Sequence, residues 1–252
     1  MKKYYIFLFL MIFVIPSAFA EVTIQNDQHY VGDDGVFHVV GEIQNGLESP
    51  LNQVNVFVTL YDETQNVIVT KEMRSLVNTI MPEMKGPFDF IFPDIKPEQI
   101  QSYSLDFDYS ISQPKDQVIS ITSSDMSRDN HNNIIISGNV ENNGEFTANT
   151  VAVIATLYDR NGNVVGVSRT HPEPDYLGSD DDTFFVFAVL DKNQNSLVTD
   201  YSIVAESEEY AAVPEFPLGS LILLASSVSA YIGITRCSNR IIVNLISATH
   251  LK

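Results

Sequence analysis

Three successive carboxylates, Asp180, Asp181 and Asp182, precede an apolar alternating run over 183–190. Their mutual repulsion favours a bound divalent cation, with calcium the ion that oxygen donors of this kind suit best. The aligned stretch in the first half of the chain reads Glu83-Met84-Lys85, so such a site belongs to the second half alone; the competing reading is a solvated acidic turn. Oxygen donors also alternate in Asp159-Arg160-Asn161-Gly162-Asn163, but no bidentate Glu follows at loop spacing, and Asn-Gly is strong hairpin chemistry. Asp33-Asp34-Gly35 reads as a plain turn. His29, His38, His131 and His171 recur at no short spacing, which leaves zinc without a ligand cluster. The single cysteine is Cys237, so no intrachain disulfide forms, and the region before it has neither a thiolate for copper nor a cysteine nucleophile. Gly-x-Ser-x-Gly, His-Glu-x-x-His and phosphate-cradling glycine loops are all missing from the sequence. No catalytic residue is assigned, the chain is read as a non-enzyme, and calcium is the one cofactor its residues suggest.

Thirty-two acidic residues stand against 14 basic ones, a formal charge of −18. Such a surface repels polyanions, which excludes nucleic acid as a partner and leaves solubility, high salt or diffuse cation binding as its uses.

The elements that carry these residues are strands. Period-two apolar runs broken by Gly, Asn, Asp and Pro occupy 22–25, Phe37–Asn45, 54–61, Val67–Arg74, 88–92 and 103–109, with no sustained helical spacing between 21 and 213. In the third run Val54, Val56, Val58 and Leu60 share one face, and the pleat makes them core. Val151, Val153, Ala155 and Leu157 form the same stripe 97 positions later, where the smaller Ala155 calls for a larger neighbour such as Ile154 or Phe185. Without any gap, that offset also superposes Leu60-Tyr61-Asp62 on Leu157-Tyr158-Asp159, Gly41 on Gly138, Asn45 on Asn142, Asn66 on Asn163 and Phe90 on Phe187. A unit near 100 residues has been copied in tandem. The expectation is an all-β chain with two tandem Ig-like β-sandwich domains, 21–110 and 118–210, joined by a short polar linker at 111–117 that permits limited bending.

Both ends read as address labels. Lys2-Lys3, an apolar stretch over 6–15, Pro16 and Ala18-Phe19-Ala20 form a signal peptide, 1–20, with cleavage after Ala20 and Ala18 at the −3 position. At the other end 211–220 carries Pro214-Glu215-Phe216, 221–235 is apolar, and 236–252 opens with Arg236 and includes Arg240. The 17 residues from Leu218 to Ile234 make roughly 25 Å of helix against about 30 Å of hydrocarbon, a marginal transmembrane span. Export of the domains puts both arginines on the cytoplasmic side, as the positive-inside rule requires.

Pro214-Glu215-Phe216, the apolar run and the basic end resemble archaeal PEF-CTERM-type sorting tails. The resemblance implies an archaeosortase-type processing enzyme as partner, cleavage near the motif and a membrane or lipid anchor. The chain continues past the basic residues through a further apolar patch, 241–246, where such tails usually stop. Gly41-Glu42-Ile43-Gln44-Asn45 with Leu60-Tyr61-Asp62, and Gly138-Asn139-Val140-Glu141-Asn142 with Leu157-Tyr158-Asp159, resemble FxLYD-type domains, small Ig-like sandwiches of exported proteins; Val58 and Ala155 replace the family's Phe. That resemblance implies no catalytic residue and no common ligand. Together these readings predict an exported, membrane-anchored cell-surface protein whose two domains bind an extracellular protein or glycan. The alternatives are a calcium-stiffened envelope module and an accessory subunit of an extracellular enzyme.

Overall fold

The computed structural model describes residues 21–131, 133–189 and 191–214, together with Ser229. The signal peptide with Ala18 and Ala20, Glu215 and Phe216 of the sorting motif, the apolar segment 221–235 apart from Ser229, and the basic tail 236–252 lie outside the described residues. Among the described residues no helix is long and apolar enough to cross a membrane.

Among the described residues fourteen strands follow in chain order: β1 Val22–Val31, β2 Phe37–Asn45, β3 Leu51–Tyr61, β4 Val67–Arg74, β5 Thr79–Ile80, β6 Lys85–Phe92, β7 Ser102–Ile111, β8 Ile119–Arg128, β9 Ile134–Asn142, β10 Ala152–Tyr158, β11 Val164–Thr170, β12 Asp182–Val189, β13 Asp200–Glu206 and β14 Val213–Pro214. A short α-helix, α1 Lys192–Asn195, is capped by the Asp191 side chain, which accepts from the N–H groups of Asn193 and Gln194. The chain is therefore all-β and sandwich-like, built of four sheets in the orders β1-β2-β6, β4-β3-β5 with β7 on β3, β12-β9-β8, and β11-β10-β13-β14.

The spacing of 97 reappears in this layout. Moved by that interval, β1, β2 and β6 fall on β8, β9 and β12, and β3, β4 and β7 fall on β10, β11 and β13. Backbone exceptions repeat as well: positive φ at Gln53, Gln65 and Glu83 recurs at Thr150, Gly162 and Asp180. The core stripes are where the alternation puts them. Val54, Val56, Val58 and Leu60 are buried, as are Val151, Val153, Ala155 and Leu157. Phe185 is buried too, but Ile154 has the parity of the opposite face and cannot fill the space beside Ala155.

Several boundaries differ from the sequence reading, among them the start of β6, at Lys85 rather than Phe88. Strand β1 runs on to Val31 because a bulge between Gln25 and Gln28, with Asn26 at φ 55°, slips the pleat and hides the alternation. Strand β3 begins at Leu51, ahead of a register shift between Asn52 and Asn55, and β5, two residues long, carries no periodicity to detect. Strand β7 extends to Ile111, and Ser112 N–H then donates to the Pro50 carbonyl at 3.0 Å, so the backbone stays paired into the polar stretch.

By proximity the chain falls into two compact units. One takes the described chain up to Asp116 with Thr156–Val167 and 191–200; the other takes Gln117–Ala155, Ser168–Val189 and the described chain from Tyr201.

Candidate functional site

The repeated Asn45 and Asn142 are fully buried, and each holds a loop shut. Asn45 Nδ2 donates to the carbonyls of Ser49 (3.0 Å) and Ile80 (2.8 Å), while its Oδ1 accepts from Leu47 N–H (2.9 Å). At the same interval, Asn142 Nδ2 donates to Phe146 (2.9 Å), Leu177 (3.0 Å) and Gly178 (3.0 Å), and Oδ1 accepts from Gly144 N–H (2.9 Å). Repeated Gly41 and Gly138 have an equally local cause. They pair across the sheet with Phe88 and Phe185, and a Cβ on either would come within 2.6 Å and 2.8 Å of the Phe ring tip. Gly138 would also meet the Ser123 carbonyl oxygen at 2.0 Å.

The acidic run belongs to this framework. Asp180 N–H donates to the Asn142 carbonyl (2.8 Å), Asn142 N–H donates to the Asp181 carbonyl (3.0 Å), and the Asp181 carboxylate accepts from Gly178 N–H (3.1 Å). Asp182 opens β12 opposite Glu141. All three aspartates are exposed, and among the described residues no group of three or more His, Cys, Asp and Glu side chains is placed to hold a metal ion. Asp180 and Asp181 thus sit in a turn clamped through its backbone, and Asp182 follows as the first residue of β12.

Asp159 is likewise a turn builder. Its Oδ1 accepts from the N–H groups of Asn161 (2.8 Å) and Asn163 (2.9 Å), and its Oδ2 from Asn163 Nδ2 (3.0 Å). Asp62 with Thr64 and Asn66, and Asp129 with His131 and Asn133, repeat the device. Donated N–H bonds, led by that of Asn66 for Asp62 and of Asn133 for Asp129, hold these carboxyls below their ordinary range. For Asp159 desolvation works the other way, and the bonds from Asn163 and Asn161 outweigh it.

The densest polar centre was not anticipated from the sequence. It lies in the unit that contains the first repeat, around Glu42 in the middle of β2, whose side chain is 1% exposed. Glu42 Oε1 accepts from Lys85 Nζ at 2.5 Å and from Asn26 Nδ2 at 2.6 Å, and Oε2 accepts from the Tyr158 hydroxyl at 2.9 Å. Lys85 is the first residue of β6 and Asn26 sits in the β1 bulge, so the two donors reach the carboxylate from strands on either side of β2. Lys85 Nζ also lies 5.7 Å from the Tyr158 ring centroid. Burial, then the charge of Glu42, push the Tyr158 hydroxyl far up, so it stays a proton donor. The signal was weak: a Glu on a strand whose flanking positions are apolar carries no spacing that points to its partners.

On the same sheet His38 Nδ1 contacts Asp89 Oδ1 at 3.0 Å, and the Tyr30 ring stacks on the imidazole at 4.7 Å. Burial opposes the imidazolium, but the Asp89 hydrogen bond and charge, with Asp34 and Asp191 farther off, raise the His38 pKa above its ordinary value. Two surface depressions lie elsewhere among the described residues. Ile24, Asp27, Tyr103, Leu105, Asp106 and Phe107 line one, where Tyr103 donates its hydroxyl proton to Asp27 (2.7 Å). His171, Pro172, Glu173, Pro174 and Asp175 line the other, and His171 Nδ1 bonds the Val151 carbonyl (2.9 Å).

No protein-family model matches the chain, and no curated protein does. Among solved structures it is similar to an exo-chitosanase from Amycolatopsis orientalis at 9% identity and TM-score 0.29, over 79% of this chain and 26% of that one. Red sea bream transglutaminase is similar at 8% identity and TM-score 0.26, over 76% and 29%. A calcium-binding mutant of Bacteroides uniformis β-glucuronidase 2 is similar at 10% identity and TM-score 0.26, over 76% and 27%. The chain spans about a quarter of the length of these proteins. Superpositions this loose leave architecture and chemistry to be read from the chain's own residues.

Proposed function

We propose that this chain is an exported, non-enzymatic surface protein in which two Ig-like sandwiches, 21–110 and 118–210, are held at the membrane by the C-terminal apolar segment and contact an extracellular protein or glycan. The observation that carries the reading is the one β-rich frame repeated 97 positions apart and bracketed by Ala18-Phe19-Ala20 before it and Pro214-Glu215-Phe216 with an apolar run and arginines after it. In support, the polar side chains repeated between the two frames, Asn45 with Asn142 and Asp62 with Asp159, serve loops and turns rather than reacting centres. The intact mass of the protein extracted from membranes of its host is the test. The expected result is loss of residues 1–20 and either a retained tail or a heavier adduct replacing it after the Pro-Glu-Phe motif. Recovery in the soluble fraction with Met1 and residues 2–20 still attached would overturn the proposal.

A further inference from the structure

We propose that Lys85 and Asn26 are joined by an isopeptide bond, formed autocatalytically with Glu42 as the proton-transfer group. Three observations lead to it. The amine and the amide nitrogen contact the same carboxylate oxygen, Glu42 Oε1, at 2.5 Å and 2.6 Å, so they lie no farther apart than those two contacts end to end. That carboxylate is buried, as a group relaying protons between two reactants must be if water is not to compete. The Tyr158 hydroxyl holds the second oxygen, Oε2, which leaves Oε1 facing the pair. Asn26 is also presented unusually: its φ of 55° within the β1 bulge turns its side chain out of the regular pleat and over β2. Two reactants held in place this way react as if at very high concentration.

The step balances without any co-reactant. Glu42 accepts one proton from the Lys85 ammonium, and the neutral Nζ adds to Cγ of Asn26. A second Nζ proton passes through the same carboxylate to Nδ2, the Cγ–Nδ2 bond breaks, and ammonia departs, taking the first proton away as ammonium. A secondary amide is left between Nζ and Cγ, and Glu42 is regenerated. The product ties β1 to β6 across β2, a covalent staple in a chain whose one cysteine allows no intrachain disulfide. Moved by 97 positions, the three reacting residues become Ser123, Asn139 and Asp182, so the second repeat lacks the amine, the carboxylate and the amide in those places.

Tryptic mapping of the full-length protein by mass spectrometry tests the bond. The expected result is a branched peptide joining the Asn26 and Lys85 segments, lighter than their sum by one ammonia, together with loss of cleavage after Lys85. Lys85→Arg should abolish the branched peptide, and Glu42→Gln should slow its appearance by about a hundredfold or more, the loss expected for a general base in contact with the reacting atoms. The proposal is overturned if wild-type protein is cleaved after Lys85 and yields both linear peptides at full mass. It is also overturned if the ammonia is lost from a linear peptide at Asn26-Asp27, the mark of backbone cyclisation. Wild-type protein alone decides the matter, so a variant that fails to fold leaves the test intact.

Discussion

Replacing Asn142 by Ala removes the amide that closes the turn after β9, and the cost follows from which of its partners has no other bond. Four backbone groups lose a partner: the carbonyls of Phe146, Leu177 and Gly178 and the N–H of Gly144. The three carbonyls keep a second donor, the Tyr210 hydroxyl for Phe146, Ala148 N–H for Leu177 and Asp181 N–H for Gly178, so the buried Gly144 N–H is the group left unsatisfied. At about 1–3 kcal/mol for a buried orphan, Asn142→Ala should destabilise by about 1–3 kcal/mol. Asn45→Ala removes the bonds to the Ile80 and Ser49 carbonyls and to Leu47 N–H, but Ile80 stays paired with Leu51 in the β3–β5 ladder and Leu47 and Ser49 are half-buried, so it should cost about 1–2 kcal/mol. Either is a large share of the roughly 5–15 kcal/mol that holds a domain together. Urea unfolding followed by far-ultraviolet circular dichroism measures both, read as a lowered midpoint at unchanged slope. The neighbouring Asn143→Ala serves as control, because its side chain is exposed and bonds Ser120 Oγ, and it should stay within about 0.5 kcal/mol. If Asn142→Ala matches that control, the repeated asparagines do not clamp the turns and the account of the repeat given above fails.

Gly138→Ala should destabilise by about 1–3 kcal/mol, since its Cβ would sit 2.0 Å from a backbone oxygen that cannot move alone, whereas Gly166→Ala, with only Leu157 Cδ1 at 3.5 Å, should be neutral or slightly stabilising; equal thermal midpoints for the two variants would refute the packing argument. The His38 pKa is raised in the folded state, so the stability this residue contributes is complete below its unfolded value of 6.5 and is lost as pH climbs through the raised one. The melting temperature should therefore fall between pH 6 and pH 9, and Asp89→Asn should flatten that dependence; a wild-type profile as flat as the variant's would count against the His38–Asp89 pair.

Much of this molecule could be read before any coordinates. The alternation in Val54–Leu60 and Val151–Leu157 dictated strands and their buried faces, because a pleat sends every second side chain the same way. The interval of 97 identified the repeat, and the repeated Gly, Asn and Asp marked places where backbone geometry permits few other residues: under a Phe ring, inside a clamped loop, at the head of a turn. The sequence could not say whether Asp180, Asp181 and Asp182 converge, because three adjacent side chains have no fixed direction until a turn takes its φ and ψ values. Nor could it find the Glu42 centre. Lys85, Asn26 and Tyr158 lie on three separate elements, distant along the chain, and Asn26 comes within reach of Glu42 only because a bulge rotates it out of the pleat. Periodicity is a local property of the chain and is written in its residues; the meeting of an amine, an amide and a carboxylate depends on strand order and register, which exist only once the sheet has formed.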